Sequence, residues 1–168
     1  YEVNLSDNNL GRFFEDYALG DIITHATPRT LTEADASFYI SIYPTRFALQ
    51  SSAEFARNCG LKDRPLDDLI VFHTVFGKTV PDISINAVAN LGYAEGKFSN
   101  MVFSGETLSV TSEIIGLKQN SSGKTGIVYV KTKGQNSSGE TILEYKRWVM
   151  VKKRFVGIEE APSNIPHL

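Results

Sequence analysis

The sequence predicts a single α+β domain in which a curved antiparallel sheet wraps around one central helix. The first observation is a segment at 69–80, LIVFHTVFGKTV, that is apolar on almost every side, as expected of a helix buried on most sides. The second is a series of four strand-like segments after it, joined by turns that contain Asn and Gly. The third is the length of 168 residues, which fits one ordinary domain.

The composition excludes several classes of protein. Hydrophobic residues make up 42% and charged residues 21%, which argues against a disordered chain. The formal net charge of −2 gives no basis for binding nucleic acid or an anionic membrane surface, and no apolar run is long enough to span a bilayer. One cysteine, Cys59, and three scattered histidines predict neither a disulfide framework nor a metal site. We therefore expect a cytoplasmic protein with no nucleic-acid or membrane partner.

The two ends of the sequence differ from its middle. Residues 1–10 are polar and are predicted to form a loose leader. Residues 156–168 carry two prolines and no hydrophobic period, as in a linker or tail. The domain itself is assigned to residues 11–155.

The first elements are predicted to be a short strand and a helix. The strand IITHAT follows a Gly20–Asp21 turn and would expose His25 to solvent. Thr30 and Glu33 have the spacing of a capping box, so a helix is predicted from there to just before Pro44. Ala34, Phe38 and Ile42 would lie on one face of it.

A second short helix is predicted to follow. Ser51 and Glu54 have the spacing of its capping box. Phe55 and Cys59 would share its inner face, and Gly60 would take the left-handed conformation that ends it.

The central helix is predicted next. Asp67 or Asp68 would cap its amino end, and Pro81 would end it. Gly77 within it would let another backbone or a ligand approach closely.

Four strands complete the predicted fold. In chain order they cover INAVANLGYAEGKF, ETLSVTSEII, TGIVYVKTKG and ETILEYKRWVMVKK. The turns at 120–123 and 136–139, both NSSG, would join the last three strands as hairpins. Alternation places one row of apolar residues inward on each of the second and fourth strands: Leu108, Val110 and Ile114, and Leu143, Tyr145, Val149 and Val151.

Several of these strings resemble a known family. GRFFEDYALGD, TPRTLTEAD and FSGETLSVTSEIIGLKQN are similar to segments of the MaoC-like dehydratases, which have the hot-dog fold. PLDDLIVFHTVFGKTVPDISINAVANLGYAEGKF and EYKRWVMVKKR resemble, more specifically, the N-terminal half of the mesaconyl-CoA hydratases within that group. The resemblance covers about residues 11–154 and implies a hot-dog fold.

The resemblance also implies a reaction, the hydration or dehydration of an enoyl-CoA, with no cofactor beyond the CoA thioester substrate. In the family, an Asp and a His separated by four residues hold the water and move the proton, and a backbone N–H at the start of the central helix holds the thioester oxygen. A helix amino end supplies a fixed positive end where the enolate charge develops. The implied substrate is a short branched acyl-CoA such as mesaconyl-CoA or β-methylmalyl-CoA.

The sequence departs from the family pattern in the loop that should carry this pair. Aligned on the helix that follows, YPTRFALQ places Thr45 at the position of the Asp and Gln50 at that of the His. Neither is a general base near neutral pH, so Thr45, Arg46 and Gln50 are assigned to binding the substrate. We therefore expect this chain to be the half without the pair, working with a second hot-dog domain on the same or another chain.

Other polar residues are further candidates for the site. Asp68 and His73 repeat the Asp-x4-His spacing on the central helix, as a displaced catalytic pair or as a helix cap plus a structural histidine. Thr74 beside them is assigned to substrate binding. Asn86 and Asn90 are also assigned to the substrate because Asn is depleted in strands and needs partners, although a bulge or a capped turn explains them equally well.

A basic cluster is predicted at the end of the last strand. It consists of Arg147, Lys152, Lys153 and Arg154. These residues would contact CoA phosphates or form an ordinary charged strand end, and the second interpretation is favoured.

The expected function is therefore a hydro-lyase of the enoyl-CoA hydratase type. One alternative is a non-catalytic hot-dog domain that binds acyl-CoA or a partner without turnover. Another is a thioesterase, for which the sequence shows no suitably placed carboxylate–Asn pair.

Overall fold

The computed structural model describes residues 11–44, 47–154 and 164–168. The predicted leader at 1–10 lies outside these residues, as do positions 155–163 of the predicted tail. The elements before the sheet are a 3₁₀ turn Phe14–Asp16, β1 Ile22–Thr24, β2 Arg29–Thr30, α1 Glu33–Ile42, α2 Ala48–Ser51, α3 Ala53–Asn58, α4 Asp68–Thr79 and a π-helical turn Val80–Ser84. The long strands are β3 Ala87–Phe98, β4 Thr107–Gln119, β5 Thr125–Gln135 and β6 Thr141–Lys152.

The strands form one six-stranded antiparallel sheet. Its order is β1-β4-β5-β6-β3, and the short β2 also pairs with β4. The four strands predicted after the central helix are confirmed as β3 to β6. Gly123 and Gly139 have positive φ in the two NSSG turns, which is the conformation that such hairpin turns need. Within the described residues β3 pairs only with β6, so one edge of the sheet is open.

The central helix α4 packs against the inner face of this sheet. Val71 and Val75 are buried in the core. A Cβ on Gly134 of β5 would lie 2.6 Å from Val75 Cγ2, which is closer than atoms pack, so the missing side chain lets sheet and helix approach each other. The other side of α4 is open, with Leu69 and His73 exposed. The expectation of a helix buried on most sides is wrong for this chain by itself.

The capping box of α1 begins two residues later in the sequence than predicted. Thr32 is the N-cap and shares the box with Asp35, whereas Thr30 lies in β2. The Asp35 carboxylate accepts hydrogen bonds from the hydroxyl of Thr32 at 2.7 Å and its N–H at 2.9 Å. These bonds to the charged form lower the pKa of Asp35.

The predicted shared face of α1 is confirmed, because Ala34, Phe38 and Ile42 line one groove, but this face does not pack into the core. Phe38 and Ile42 are exposed, and Ala36 is the buried residue. Adjacent positions on a helix differ by about 100° in direction, so the face that packs is set by which side chain fits the core. The small side chain of Ala36 fits the close contact, and the larger ones point outward.

For the second short helix, the predicted cap and the predicted inner face are both wrong. Ser52 rather than Ser51 caps α3, because its side chain accepts from the Phe55 N–H at 3.2 Å. Phe55 and Cys59 are exposed and Ala56 is buried. Gly60 does adopt the predicted left-handed conformation, with φ +88°.

The last described residues lie against the outer face of the sheet. Asn164 forms a bridge with Leu117 of β4, and Pro166 lies beside Gly116. Across the three described stretches of chain, no helix combines the length and apolar character needed to cross a membrane.

Candidate functional site

A cavity of about 360 Å³ lies at the amino end of α4, and we call it the amino-end cavity. It brings together two of the predicted site residues, Gln50 of α2 and Asp68 of α4. Asp68 is the only ionisable side chain among the described residues that line it. The described lining is otherwise apolar or uncharged: Phe47, Leu49, Pro65, Leu66, Phe98, Ser99, Asn100 and Met101.

Two carboxylates mark the start of α4. Asp67 is the N-cap, and its side chain accepts from the Leu69 N–H at 2.8 Å. Partial burial, together with the charge of Asp67, raises the pKa of Asp68. The described lining of the cavity therefore offers one carboxyl group and no second group to exchange a proton with it.

His73 and Thr74 lie elsewhere, in a groove between α1 and α4. His73 is exposed and meets the ring of Tyr39 edge-on at 6.2 Å. Thr74 is buried and donates its hydroxyl to the Ile70 carbonyl at 2.8 Å. The structure does not bring His73 to Asp68, because residues five apart on a helix point roughly 140° away from each other. A catalytic role for this pair stays a prediction.

Asn86 and Asn90 make bonds within the domain. Asn86 is buried, its Nδ2 donates to the Arg12 carbonyl at 3.2 Å, and its own carbonyl accepts from the Lys152 N–H at 3.0 Å. Asn90 lies at a register shift of β3, and its Oδ1 accepts from Arg147 at 3.2 Å. These bonds fit the turn and bulge interpretations. Thr45 and Arg46 lie outside the described residues, and contact with substrate stays a prediction for all four.

A row of polar side chains crosses the interior between two apolar clusters. We call it the polar belt: Asp82, His25, Ser112, Thr132, Tyr145, Thr79, Arg147 and Asn90. The apolar residues on one side of it include Val71 and Leu108, and those on the other include Ile114 and Val149. The sequence did not lead us to predict that these polar side chains lie together in the interior.

His25 is buried in the belt, so the prediction that it faces solvent is wrong. Its Nδ1 lies 2.6 Å from Asp82 Oδ2 and its Nε2 lies 2.8 Å from Ser112 Oγ. Ser112 in turn bonds to Thr132 at 2.9 Å. Burial lowers the pKa of His25, and the bond to Asp82 offsets part of that effect.

Arg147 is fully buried, with 0% of its surface exposed, so it is not part of a surface basic cluster. Its Nη2 donates to Thr79 Oγ1 at 2.8 Å and its Nη1 to Asn90. Its guanidinium lies 4.7 Å from the ring centre of Phe76. No Asp or Glu oxygen of the described residues lies within 4.0 Å of it, and burial lowers its pKa.

A signal for Arg147 was present in the sequence. It has the same parity as the inward row of β6 and lies midway along it. The remaining basic residues fit a charged strand end, since Arg154 pairs with Asp16 at 2.7 Å and Lys153 bonds to Gln119.

Comparison of the structure with solved structures defines the fold. A MaoC domain dehydratase from Chloroflexus aurantiacus superposes with a TM-score of 0.92 at 56% identity, over 96% of this chain and 46% of that one. A Mycobacterium tuberculosis protein described as a double hot-dog fold superposes with a TM-score of 0.78 at 20% identity, over 94% of this chain and 47% of that one. The predicted hot-dog fold is confirmed.

Sequence comparison defines the family. The family model for mesaconyl-CoA hydratase matches residues 4–161. The chain is 57% identical to the β-methylmalyl-CoA dehydratase of Chloroflexus aurantiacus and 56% identical to the mesaconyl-CoA hydratase of Cereibacter sphaeroides, in each case over 95% of its length. The chain belongs to the mesaconyl-CoA hydratase family. It spans about half the length of these two relatives, 46% and 47%.

Proposed function

We propose that this chain is one hot-dog half of a hydro-lyase that adds water reversibly to a short branched enoyl-CoA such as mesaconyl-CoA. The observation that carries the proposal is the family match over residues 4–161, supported by 57% identity to a protein named β-methylmalyl-CoA dehydratase. In this reaction the hydroxyl of water adds to the β carbon, a proton is added to the α carbon, and negative charge develops on the thioester oxygen.

In this reaction, the role of this chain is to bind the acyl-CoA substrate. Moving the proton requires an acid–base group with a suitable pKa next to the reacting carbons. The amino-end cavity has one ionisable side chain among its described residues, Asp68, and His73 lies in another groove. The acid–base pair would come from another hot-dog domain.

That second domain would cover the open side of α4, where one continuous surface is apolar. We call this surface the open face. α1 and α4 share one groove, and α4 and β3 share another, so their exposed residues adjoin. Gly77 is exposed there with no atom within 4 Å of a Cβ, which leaves room for a neighbouring backbone. The exposed apolar side chains that line these two grooves are Phe38, Ile42, Tyr43, Leu69, Tyr93 and Phe98.

Three facts favour a hot-dog domain as the occupant. The relatives are about twice as long as this chain. One solved neighbour is described as a double hot-dog fold. The unpaired edge of β3 is a hydrogen-bonding surface that proteins normally cover.

The test is turnover of mesaconyl-CoA by the full-length product of the gene that encodes this chain. We expect the absorbance of the enoyl thioester to fall with enzyme-dependent kinetics. Gln50→Ala should raise KM about tenfold, as for a lost hydrogen bond to substrate, with a smaller change in kcat. Gln135→Ala is the matched control, because that side chain bonds to the Gly139 carbonyl in an exposed turn.

A non-catalytic acyl-CoA-binding domain is the second candidate, favoured by the single ionisable group in the amino-end cavity. It predicts binding of CoA thioesters to the full-length protein without loss of the enoyl absorbance.

A loss of about 10²-fold or more in kcat for both Asp68→Asn and His73→Gln would instead indicate the displaced catalytic pair.

A further inference from the structure

A second cavity of about 390 Å³ lies beside α4 on the open face, and we call it the side cavity. Its walls come from α4, β3 and β6 and are largely aromatic, including Phe72, Tyr93 and Tyr145. Among the described residues that line it, Glu95 is the only charged one, and Lys146 neutralises it at 2.7 Å.

Two buried donors, one at the inner wall of this cavity and one behind it, have no hydrogen-bond partner among the described residues. They are the hydroxyl of Tyr145 and the Nε of Arg147. The hydroxyls of Thr132 and Thr79 lie near Tyr145, and that of Tyr93 lies near Arg147, but none completes these bonds. Buried polar atoms are rarely left in this state, and each costs free energy unless a partner arrives.

The two donors lie next to each other on β6. Tyr145 lines the cavity, and Arg147 is the next residue on the same face, about 7 Å further along the strand. The ring of Tyr93 contacts those of Phe76 and Tyr145 and separates the cavity from Arg147. Tyr93 is on the edge strand and 47% exposed, so turning its ring would open a path to the guanidinium.

The charge of Arg147 also has no carboxylate partner within the described part of the chain. Its contacts are the neutral groups of Thr79 and Asn90 and the ring of Phe76. A cation buried among neutral groups is costly, and a carboxylate is the group that fits a guanidinium best, through two parallel hydrogen bonds.

We propose that Tyr145 and Arg147 bind the free carboxylate of a dicarboxylic acyl-CoA that enters the side cavity from the open face. This inference rests on the proposed function, and it adds a pocket for the acyl end beside the amino-end cavity, with which the side cavity shares Phe98. A mesaconyl group carries such a carboxylate at the end away from the thioester. The thioester would then lie at the open face, where a second hot-dog domain would meet it.

The test compares two enoyl thioesters on the full-length protein. We expect kcat/KM for mesaconyl-CoA to exceed that for crotonyl-CoA, which lacks the carboxylate, by about 100-fold. As inhibitors, succinyl-CoA should bind about 100-fold more tightly than butyryl-CoA. Equal binding of these two inhibitors would overturn the proposal without any variant.

Tyr145→Phe separates recognition from folding. The change removes a hydroxyl that has no partner in the fold, so Tm should stay the same or rise. The preference for mesaconyl-CoA over crotonyl-CoA should fall about tenfold, as for one lost hydrogen bond to a charged group. Tyr129→Phe, at a buried tyrosine stacked on Trp148 on the outer side, is the matched control and should keep the preference.

Arg147→Gln should reduce the same preference about 100-fold, and Arg147→Lys should restore part of it because the charge returns. The control is Arg57→Gln, an exposed arginine paired with Asp63. The proposal would be contradicted if both Tyr145→Phe and Arg147→Gln kept the wild-type preference for mesaconyl-CoA over crotonyl-CoA. A lower Tm of Arg147→Gln, as the only change, would show that the polar belt has a structural role. If wild type hydrates neither thioester, the proposed function fails, and the succinyl-CoA and butyryl-CoA affinities still decide this inference.

Discussion

At the scale of single residues, the ring of His25 links the fold to pH. It lies between the Asp82 carboxylate and the Ser112 hydroxyl, and Arg147 and Arg12 both disfavour its positive form. Because burial is the largest effect, the pKa of His25 in the folded chain lies below its value in the unfolded chain. The unfolded chain therefore binds more protons in the window below about pH 6.5.

We expect the Tm of the protein to fall as the pH is lowered from 8 through 6.5 towards 5. The stability that comes from a neutral His25 is complete above the unfolded pKa and is lost below it. His25→Gln should lower Tm at pH 8, and its Tm should change less with pH between 8 and 5 than that of the wild type. Thermal denaturation across the pH series measures both, and equal slopes in wild type and variant would contradict the assignment.

Gly134 allows the closest approach of the sheet to the central helix. A methyl group there would lie 2.6 Å from Val75 Cγ2. Gly134→Ala should therefore reduce the free energy of unfolding by about 1–3 kcal/mol, the usual cost of overpacking a core. Gly96→Ala on β3 is the control, because no atom lies within 4 Å of its Cβ. Urea denaturation of the pair tests the contact, and equal stabilities would rule it out.

At the scale of elements, hydrogen bonding at the amino end of α1 depends on Thr32 rather than on Thr30. Thr32→Ala should lower the free energy of unfolding by about 1 kcal/mol, as for other lost N-caps. Ser41→Ala on the same helix should be nearly neutral or stabilising, since Ser41 only donates back to the Ser37 carbonyl. Chemical denaturation measures the free energy of unfolding of both variants. An unchanged free energy of unfolding in Thr32→Ala would contradict the assignment of Thr32 as the N-cap.

Strands were the elements that the sequence predicted best. A period of two with apolar residues inward is unambiguous in β4 and β6, and the paired turns fix the register. The environment of each helix face was predicted less well: Ala34, Phe38 and Ile42 of α1 share a face as predicted, but that face belongs to the open face and not to the core. Apolarity alone does not distinguish a core contact from a surface that another domain covers.

The polar belt escaped prediction for a related reason. Ser112, Thr132 and Arg147 alternate in phase with the inward-facing residues of their strands. Charged residues are rarely buried, however, so the sequence alone favours a surface position for Arg147. His25 and Asp82 are 57 positions apart, and only the folded chain shows that they meet. The amino-end cavity was anticipated in part, since Gln50 and the start of α4 do lie together.

At the scale of the whole molecule, the open face predicts that exposed apolar residues differ in how well they tolerate replacement by a charged residue. Phe38 of the open face is 69% exposed and Ile22 is 73% exposed in this chain. In the full-length protein, Phe38→Asp should lower Tm and reduce turnover, because a charge would be buried against the second domain. Ile22→Asp, outside the open face, should do neither. Equal tolerance of the two variants would place the second domain elsewhere.

The central claim is that this chain is half of an enzyme that adds water to a branched enoyl-CoA. The most direct measurement is the mass of the product formed from mesaconyl-CoA by the full-length protein in ¹⁸O-labelled water. The account predicts a product heavier than the substrate by one water molecule, with the label retained on carbon. Recovery of unchanged mesaconyl-CoA that is nonetheless bound, or release of free CoA without addition of water to the acyl group, would contradict it.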